Sequence, residues 1–428
     1  FREFYPEDCF IRNFIFETVR RVCHQFCFLE YDAPILEPLE LFTEKSGEEI
    51  VGQLFNFTDR GGRAVALRPE MTPSVARMVG SKIHALKRPL KWFSIEENFR
   101  YERPQKGRLR SFYQFNVDIF DEPTIQADGE IIALAIAILQ SFGLSSTDFH
   151  LRLSDRQLWT LLLQSLGVAE NQIATILSII DKIEDDNREE MIQKLDQLNL
   201  GGAFLLEKIQ LFRAIRSPID LEDFFASLGG IREQTQKAVA LRLEQMKMLL
   251  TSLEAMGLGD FITIDFSIVR GLAYYTGFVF EIFERSGKSR AIAGGGRYDE
   301  LIEKSGYPRT AAVGLAIGDV VLTHILAEKN LLPSFSQKCD LFVVFDEISK
   351  VTAMGDAYGL RRNGFSVAHT LKDQVPPNRQ LKQGLQWAHW VIIYQGEEEL
   401  LRLKDVIHRR DYEVPRGELI PFLLEQRG

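Results

Sequence analysis

A short segment near residue 100 carries a high concentration of cations. Residues 99–110 hold five basic side chains against one acid, Glu102. Two strand-like runs flank Pro104 and Gly107, so the first cation is expected at a rigid strand end and the others on a loop. A fixed guanidinium suits a phosphate undergoing substitution, whereas flexible cations suit a nucleic-acid end. On spacing alone, a solvated, charge-rich hairpin explains the segment equally well. The five cations are Arg100, Arg103, Lys106, Arg108 and Arg110.

Four segments, taken in chain order, strengthen the chemical interpretation. They are residues 67–72 (LRPEMT), 99–108 (FRYERPQKGR), 269–276 (VRGLAYYT) and 293–299 (AGGGRYD). Together they resemble the signature segments of the histidyl-tRNA synthetases, a family of class II aminoacyl-tRNA synthetases. The second segment resembles the family's motif 2, in which an arginine binds the α-phosphate of ATP and a loop contacts the acceptor end of tRNA.

The resemblance implies an enzyme with two successive reactions. It would activate L-histidine with ATP, accompanied by Mg²⁺, to histidyl-adenylate and then load the 3′ end of tRNA(His). It also implies a homodimer, with residues 34–38 near the interface, and no resident metal. The implied catalytic residues are Arg100 and Arg270, and the implied ATP-binding residues are Arg100, Glu102, Arg270 and Arg297. The implied histidine-binding residues are Glu70, Thr72, Gln114, Asp118, Tyr274 and Tyr275, and the implied acceptor-end residues are Arg103, Gln105, Lys106 and Arg108.

Each implied role has a physical reason. Adenylate formation passes through a crowded, negatively charged phosphorus, which preorganised arginines stabilise without a protein nucleophile. Carboxylates pair with the substrate ammonium, and a carboxylate or a tyrosine hydroxyl can hydrogen-bond an imidazole. The glycines of residues 294–296 would let backbone approach the ligand closely. Taken alone, Tyr274 and Tyr275 would be read as ordinary sheet packing.

Two positions depart from the family pattern. An arginine that grips the γ-phosphate is expected after the Val-Gly-x-Ala-x-Gly run, but residues 313–318 are followed by Asp319, Val320 and Val321. Ala273 stands where many members have Asp. Arg297 is the candidate to replace the missing cation. These departures bear more on the ATP contacts than on the histidine contacts.

The missing arginine keeps two other functions open. One is the noncatalytic regulatory subunit of ATP phosphoribosyltransferase, which resembles a synthetase catalytic domain and senses histidine. The other is an RNA-binding regulator that binds tRNA without activating an amino acid. The intact Arg100 loop, Arg270 with the tyrosine pair, the helical insertion and the C-terminal domain favour the enzyme.

The elements expected around these residues form three domains. Strand patterns at residues 90–99 and 112–120, and a Gly61-Gly62 hairpin, predict an antiparallel sheet with flanking helices. This α+β, class II synthetase-like catalytic domain is expected over residues 1–154 and 258–332. Long helical patterns predict an insertion domain over 155–257. Alternating strands and helices predict an α/β, anticodon-binding-like domain with parallel neighbours over 333–428.

Composition limits the other possibilities. The net charge of −9 lies in residues 1–337, because residues 338–428 hold 13 cations and 13 acids. A basic loop can still meet phosphate within an acidic region. No run reaches the roughly 20 apolar residues of a membrane span. Four scattered cysteines indicate a reducing compartment. The expected location is the cytoplasm, with organellar import left open because the first residue is Phe.

Overall fold

The chain forms two compact units, Phe1–Pro333 and Ser334–Gly428. The division lies next to the expected start of the C-terminal domain at residue 333. The computed structural model describes residues 1–43, 51–102, 109–181, 188–198, 200–269, 274–287, 290–397 and 399–426. Within these ranges, no helix combines the length and hydrophobicity needed to cross a membrane.

An eight-stranded sheet forms the centre of the first unit. Its strands are β1 Leu29–Glu30, β5 Leu90–Phe99, β6 Ser111–Phe120, β7 Phe149–Asp155, β8 Ile262–Ile264, β9 Phe278–Glu284, β10 Ala293–Arg297 and β11 Ala312–Gly318. Their order is β1-β5-β6-β11-β10-β9-β7-β8. The inner pairs are antiparallel, while β1 pairs with β5 and β7 with β8 in parallel. The expected antiparallel sheet is therefore confirmed at its centre and is mixed at its ends.

Alternating side chains give the sheet two different faces. On β6, Phe115, Val117 and Ile119 point into the main hydrophobic core, whereas Asn116 and Asp118 lie on the other face. The core face packs on helices α1 Pro6–Gln25 and α4 Ile125–Gln140. Helix α4 is apolar almost all round, as expected for a helix enclosed by protein. The polar face is left to form the site.

Two small structures border the polar face. A three-stranded sheet is built from β2 Leu36–Pro38, β3 Asn56–Thr58 and β4 Ala64–Leu67, and the turn between β3 and β4 confirms the predicted Gly61-Gly62 hairpin. Gly62 adopts a φ of 79°, which glycine tolerates without strain. The associated helices are α2 Glu40–Thr43, α3 Thr72–Ser81 and α11 Leu301–Lys304.

A helical region follows β7, as the sequence predicts. It consists of α5 Arg156–Ser165, α6 Glu170–Asp181, α7 Arg188–Asp196, α8 Gly202–Arg213, α9 Pro218–Ser227 and α10 Glu233–Ala255. The chain then returns through a 3₁₀ turn, Gly259–Phe261, to β8 and β9, which both pair with β7. The interrupted sheet therefore resumes. These helices share one hydrophobic core with the sheet inside the first unit, so a separate insertion domain stays a prediction.

The second unit is a five-stranded sheet with helices. Its elements are β12 Cys339–Val344, α13 Lys350–Arg362, β13 Val367–His369, α14 Pro377–Trp387, β14 Ala388–Ile393, β15 Leu400–Asp405, β16 Arg410–Pro415 and α15 Leu419–Glu425, and α12 Asp319–Glu328 precedes it in the first unit. The order is β13-β12-β14-β15-β16. The first three strands are parallel neighbours, as predicted. The last two are antiparallel, so the expectation of parallel neighbours holds for only part of this sheet.

Candidate functional site

A cavity of about 490 Å³ opens on the polar face of the large sheet. Its floor is a row of side chains and backbone on neighbouring strands, namely Gln114, Ala316, Gly294 and Glu281. Gly294 pairs with both Ala316 and Glu281, and Gln114 pairs with Gly318, two residues after Ala316 on the same strand. Antiparallel strands place such paired residues on one face. The sheet therefore presents a flat, rigid floor to a ligand.

Arg100 forms one wall of the cavity at the end of β5. Its Nε donates to the carbonyl of Pro69 at 3.0 Å, and its backbone N–H donates to Arg110 at 3.0 Å. The guanidinium also lies 5.3 Å from the ring centroid of Phe112. These contacts hold the cation in place, as the sequence predicted for the first arginine of the cluster. Glu102 lines the same cavity.

A buried polar cluster lies farther along the same face. The hydroxyl of Tyr274 donates to Oε2 of Glu70 at 3.3 Å, and the hydroxyl of Tyr298 donates to Oδ1 of Asp118. The rings of Tyr274 and Tyr298 are 5.7 Å apart, and that of Tyr275 lies 4.9 Å from Tyr274. Two carboxyls and three tyrosines therefore meet in one place, nearly enclosed by protein.

Burial changes the acidity of this cluster. It raises the pKa of the Asp118 carboxyl to about 7, although the hydrogen bond from Tyr298 acts in the opposite direction. Burial and the neighbouring Asp118 raise the pKa of Tyr298 well above its usual value. Tyr298 therefore stays protonated near neutral pH and acts as a donor, while Asp118 can take either form.

Backbone contacts join the cluster to the cavity. Arg100 donates to Pro69, the residue before Glu70, and the N–H of Phe99 donates to the carbonyl of Arg68 at 2.9 Å. Gln114 lines the cavity and lies four residues before Asp118 on the same face of β6. A ligand spanning both parts could be held by groups fixed on β5, β6 and the segment leading to α3.

Thr72, a further predicted histidine-binding residue, lies close to this segment. It is the first residue of α3, two positions after Glu70, and it is partly buried. Because Thr72 follows Glu70 by only two residues, it lies near the buried cluster. Its contact with histidine stays a prediction.

Two glycines make room for these side chains. Gly314 pairs with Asp118 across β11 and β6, and a Cβ at Gly314 would collide with the Asp118 carboxyl. At Gly296 a Cβ would approach the Phe278 carbonyl to 2.6 Å and the ring of Tyr275 to 3.0 Å. These two glycines thus allow close packing within the cluster, while the close approach of residues 294–296 to a ligand stays a prediction.

Comparison with known proteins decides the family. A family model described as "Histidyl-tRNA synthetase" matches residues 1–319. The chain is 48% identical over 427 residues to the histidine–tRNA ligase of Opitutus terrae, covering 98% of this chain and 95% of the relative. It is 39% identical over 374 residues to the chloroplastic/mitochondrial histidine–tRNA ligase of Arabidopsis thaliana, covering 87% of this chain and 74% of the relative.

This chain belongs to the histidyl-tRNA synthetase family. Solved structures agree on the fold. The histidyl-tRNA synthetase of Nostoc sp. PCC 7120 superimposes with a TM-score of 0.77 at 22% identity, covering 100% of this chain and 98% of that one. A Bacillus halodurans protein described as an ATP phosphoribosyltransferase regulatory subunit/histidyl-tRNA synthetase gives 0.73 at 23% identity, with 92% and 97% coverage. The predicted class II synthetase-like fold with a C-terminal α/β unit is confirmed.

Several predicted site residues of this family member lie outside the described residues. Arg270, the second predicted catalytic arginine, is one of them. The predicted acceptor-end residues Arg103, Gln105, Lys106 and Arg108 are the others. Their roles stay predictions that rest on the matching motifs.

Arg297 requires a correction. It does not lie among the described residues that line the cavity. The residue is 5% exposed, and its Nε lies 3.0 Å and its Nη2 2.5 Å from the same carboxylate oxygen of Asp128. It also donates to the carbonyls of Glu122 and Thr124. Burial alone would lower the pKa of Arg297, but the Asp128 carboxylate raises it. The side chain holds β10 to α4, which leaves the proposed ATP role without structural support.

Sequence reasoning missed two residues of the buried site. Tyr298 follows Arg297 in a segment already singled out, yet its bond to Asp118 could not be read from spacing. Glu96 is 2% exposed, and burial raises its pKa to about 7, with Ser94 and Arg68 acting in the opposite direction. A signal existed for Glu96, because Ser94, Glu96 and Asn98 alternate on β5 as Gln114, Asn116 and Asp118 do on β6.

Proposed function

We propose that this protein activates L-histidine with ATP and transfers it to the 3′ end of tRNA(His). The observation that carries the proposal is that the Arg100 cavity lies on the same sheet face as the buried cluster of Glu70, Asp118 and Tyr274 and is linked to it through Pro69. Family membership indicates the same chemistry. The site combines a phosphate-binding cation with buried groups suited to an amino acid.

The cluster supplies groups that match histidine. Glu70 can accept hydrogen bonds from the substrate ammonium. Ionised Asp118 can accept an imidazole N–H, and Tyr274 can donate to or accept from the ring. Thr72 and Gln114 add a hydroxyl and an amide group at the edge of this cluster. Because these groups are buried, an amino acid that leaves them unpaired would be disfavoured by several kcal/mol, on the order of the penalty for unsatisfied polar groups.

The first reaction joins histidine to AMP. A carboxylate oxygen of histidine attacks the α-phosphorus, the bond to the bridging oxygen breaks, and pyrophosphate leaves with that electron pair. Arg100 stabilises the charge that builds on the α-phosphate, and no covalent enzyme intermediate is needed. Mg²⁺ would accompany the nucleotide, with Glu102 and Glu281 as the oxygen ligands that line the cavity.

The second reaction loads the tRNA. A terminal ribose hydroxyl attacks the carbonyl carbon of histidyl-adenylate, and AMP leaves. The predicted acceptor-end loop over residues 103–108 would guide the tRNA end toward Arg100. The second unit offers a separate cavity of about 810 Å³ at the ends of its parallel strands, lined by Lys350, His369 and Lys372 among others. We place the anticodon contact on this unit, following its predicted role.

A noncatalytic histidine sensor is the second candidate. The observation that favours it is the run Gly318-Asp319-Val320-Val321, which brings no cation to the cavity. Such a protein would bind histidine in the buried cluster without forming an adenylate. The fold alone does not separate the two functions, so the reaction itself must be measured.

Exchange of labelled pyrophosphate into ATP distinguishes the candidates. We expect exchange that requires histidine and is absent with the other amino acids, measured with and without tRNA. Arg100→Ala should reduce exchange at least a hundredfold while histidine affinity, measured by calorimetry, stays within about threefold. Histidine binding without exchange in the unaltered protein would replace the synthetase with the sensor. Exchange retained in Arg100→Ala would remove Arg100 from the mechanism.

A further inference from the structure

The cavity has an unbalanced charge for an ATP site. Its described lining contains two cations, Arg100 and Arg290, against three acids, Glu102, Glu281 and Asp319. A triphosphate brings several more negative charges, which need cations as well as Mg²⁺. Arg100 is fixed beside Pro69 at the end of β5, whereas Arg290 precedes β10, and β6 and β11 lie between these two strands. Arg290 is the second cation of this lining.

The backbone places Arg290 opposite the start of α12. Ala293 pairs with Ile317, and the Gly318 N–H continues this ladder by donating to the Ile292 carbonyl at 3.3 Å. Strand β11 ends at Gly318 and a helix begins at Asp319, so Arg290 and Val320 each lie two residues beyond the end of this ladder. Val320 and Val321 also line the cavity. Arg290 thus lies beside the wall that these two valines leave without charge.

Three other arginines near the cavity differ from Arg290 in where their side chains lie. Arg297 is buried against Asp128. Arg2 pairs with Asp319 at 2.8 Å, and Asp319 also accepts the Tyr113 N–H at 2.9 Å. Arg285, in the same hairpin as Arg290, donates to the carbonyls of Ser146 and Asp260. Arg297 and Arg285 thus make contacts outside the cavity, Arg2 pairs with an acid of the cavity lining, and Arg290 itself belongs to the lining.

We propose that Arg290 binds the β- and γ-phosphates of ATP across the cavity from Arg100. The inference rests on the proposed function and names a cation that the family motifs do not supply here. As pyrophosphate leaves the α-phosphorus, negative charge grows on the β-phosphate oxygens. The Arg290 guanidinium would neutralise that charge, while Arg100 acts on the α-phosphate. Two arginines on opposite walls would then hold the nucleotide in line for attack.

The test compares Arg290→Ala with Arg290→Lys and with the control Arg285→Ala. Arg285 is an exposed arginine of the same hairpin that donates to the backbone carbonyls of Ser146 and Asp260. In pyrophosphate exchange, Arg290→Ala should raise the KM for ATP about 10- to 100-fold, as expected for loss of a charged hydrogen-bond donor. Arg290→Lys should recover part of the loss, and Arg285→Ala should match the unaltered protein.

Direct binding locates the contact along the nucleotide. Calorimetry should show weaker binding of a nonhydrolysable ATP analogue by Arg290→Ala, with unchanged binding of AMP and of histidine. Equal affinity of Arg290→Ala and the unaltered protein for the ATP analogue would overturn the proposal, as would an equal loss for AMP. Because these measurements need no turnover, a protein that binds ATP through Arg290 yet shows no exchange would overturn the synthetase function alone.

Discussion

At the scale of single residues, the buried Asp118 carboxyl controls how the site responds to pH. Its neighbours are Tyr298, which donates to it, and the Tyr274 ring, which packs on Tyr298. Burial outweighs the hydrogen bond and brings the pKa of Asp118 to about 7. A group that must be ionised to accept an imidazole N–H therefore titrates close to the working pH.

Histidine affinity should fall as the pH decreases from 8 to 5.5. Asp118 becomes protonated through its pKa of about 7 and stops accepting the imidazole N–H. Asp118→Asn should bind histidine more weakly at pH 8 and lose the part of the pH dependence that comes from the protein. Calorimetry in buffers of different ionisation enthalpy separates this part from the titration of histidine itself. Glu96→Gln is the matched control, since Glu96 has a similar pKa. If Asp118→Asn left the pH dependence of histidine affinity unchanged, Asp118 would not be the group that causes it.

The same raised pKa affects stability in the absence of ligand. Asp118 is neutral in the folded state below about pH 7 but ionised in the unfolded chain above about pH 4. Because only the unfolded chain releases this proton between about pH 4 and pH 7, the free energy of unfolding falls as the pH rises through this interval. The buried Asp118 carboxyl therefore makes the folded protein less stable near pH 7 than the same carboxyl would if it were exposed.

Motif spacing could predict the individual residues better than their partners. Glu70, Arg100 and Asp118 were identified from the sequence, and the structure joins them through β5, β6 and Pro69. The contact of Arg297 with Asp128 could not be predicted, because the two residues lie 169 positions apart in sequence. A lone arginine in a glycine-rich strand gives no sign of whether it meets a ligand or a buried acid.

At the scale of elements, one ion pair connects the helical region to the sheet. Nε of Arg242 on α10 donates to Oδ2 of Asp155 at 2.6 Å, and the Arg242 guanidinium lies 3.9 Å from the ring centroid of Phe278. The other oxygen of Asp155 accepts the Leu158 N–H at 2.8 Å, which caps α5. Asp155 therefore fixes the end of β7, the start of α5 and the face of α10 together.

Arg242→Met should destabilise the first unit by roughly 3–5 kcal/mol, because it leaves the Asp155 carboxylate buried without its cation. Scanning calorimetry of the full chain measures the lower melting temperature. Combining Arg242→Met with Asp155→Asn, which keeps an acceptor for the Leu158 N–H, should recover much of the loss. The exposed pair Lys237 and Glu233 on the same helix offers the control Lys237→Met, with little expected change. A cost for Arg242→Met as small as that of the control would show that the pair does not hold these elements.

The strands and helices differ in how well the sequence predicts them. Strands β5 and β6 were predicted nearly to the residue because one face of each alternates into a continuous core. The short helices α7 and α9 were not specified, since each buries only two residues. The hairpin of β15 and β16 was also missed, because the preceding strand and helix alternation favoured more parallel strands.

At the scale of the whole molecule, the order of elements was more informative than any single pattern. Strands at residues 149–155 and 262–264 pair directly, although a long helical region separates them in sequence. That return to the sheet follows from strand patterns reappearing after the helices. The sequence could not reveal that the helices share the core of the sheet, because hydrophobic contacts between distant segments leave no periodic signal.

The chain should assemble into a homodimer through the exposed apolar surface around β2. Leu29, Ile35, Leu36 and Phe57 are each more than 40% exposed on or near the small sheet, within or close to the predicted interface at residues 34–38. Contiguous exposed apolar side chains of this kind mark association surfaces. Light scattering should give about twice the chain mass of 49.0 kDa.

Ile35→Glu tests this surface directly. A charge placed in an apolar interface must be desolvated without a partner, so the variant should shift toward a single chain as protein concentration falls. Ile219→Glu is the control, because Ile219 is an exposed isoleucine on the helical region, 67% accessible and far along the chain from residue 35. A single-chain mass for the unaltered protein would refute the dimer, whereas a dimer that resists Ile35→Glu would move the interface away from β2. If the dimer supports the site, Ile35→Glu should also reduce pyrophosphate exchange in proportion to the fraction of single chains.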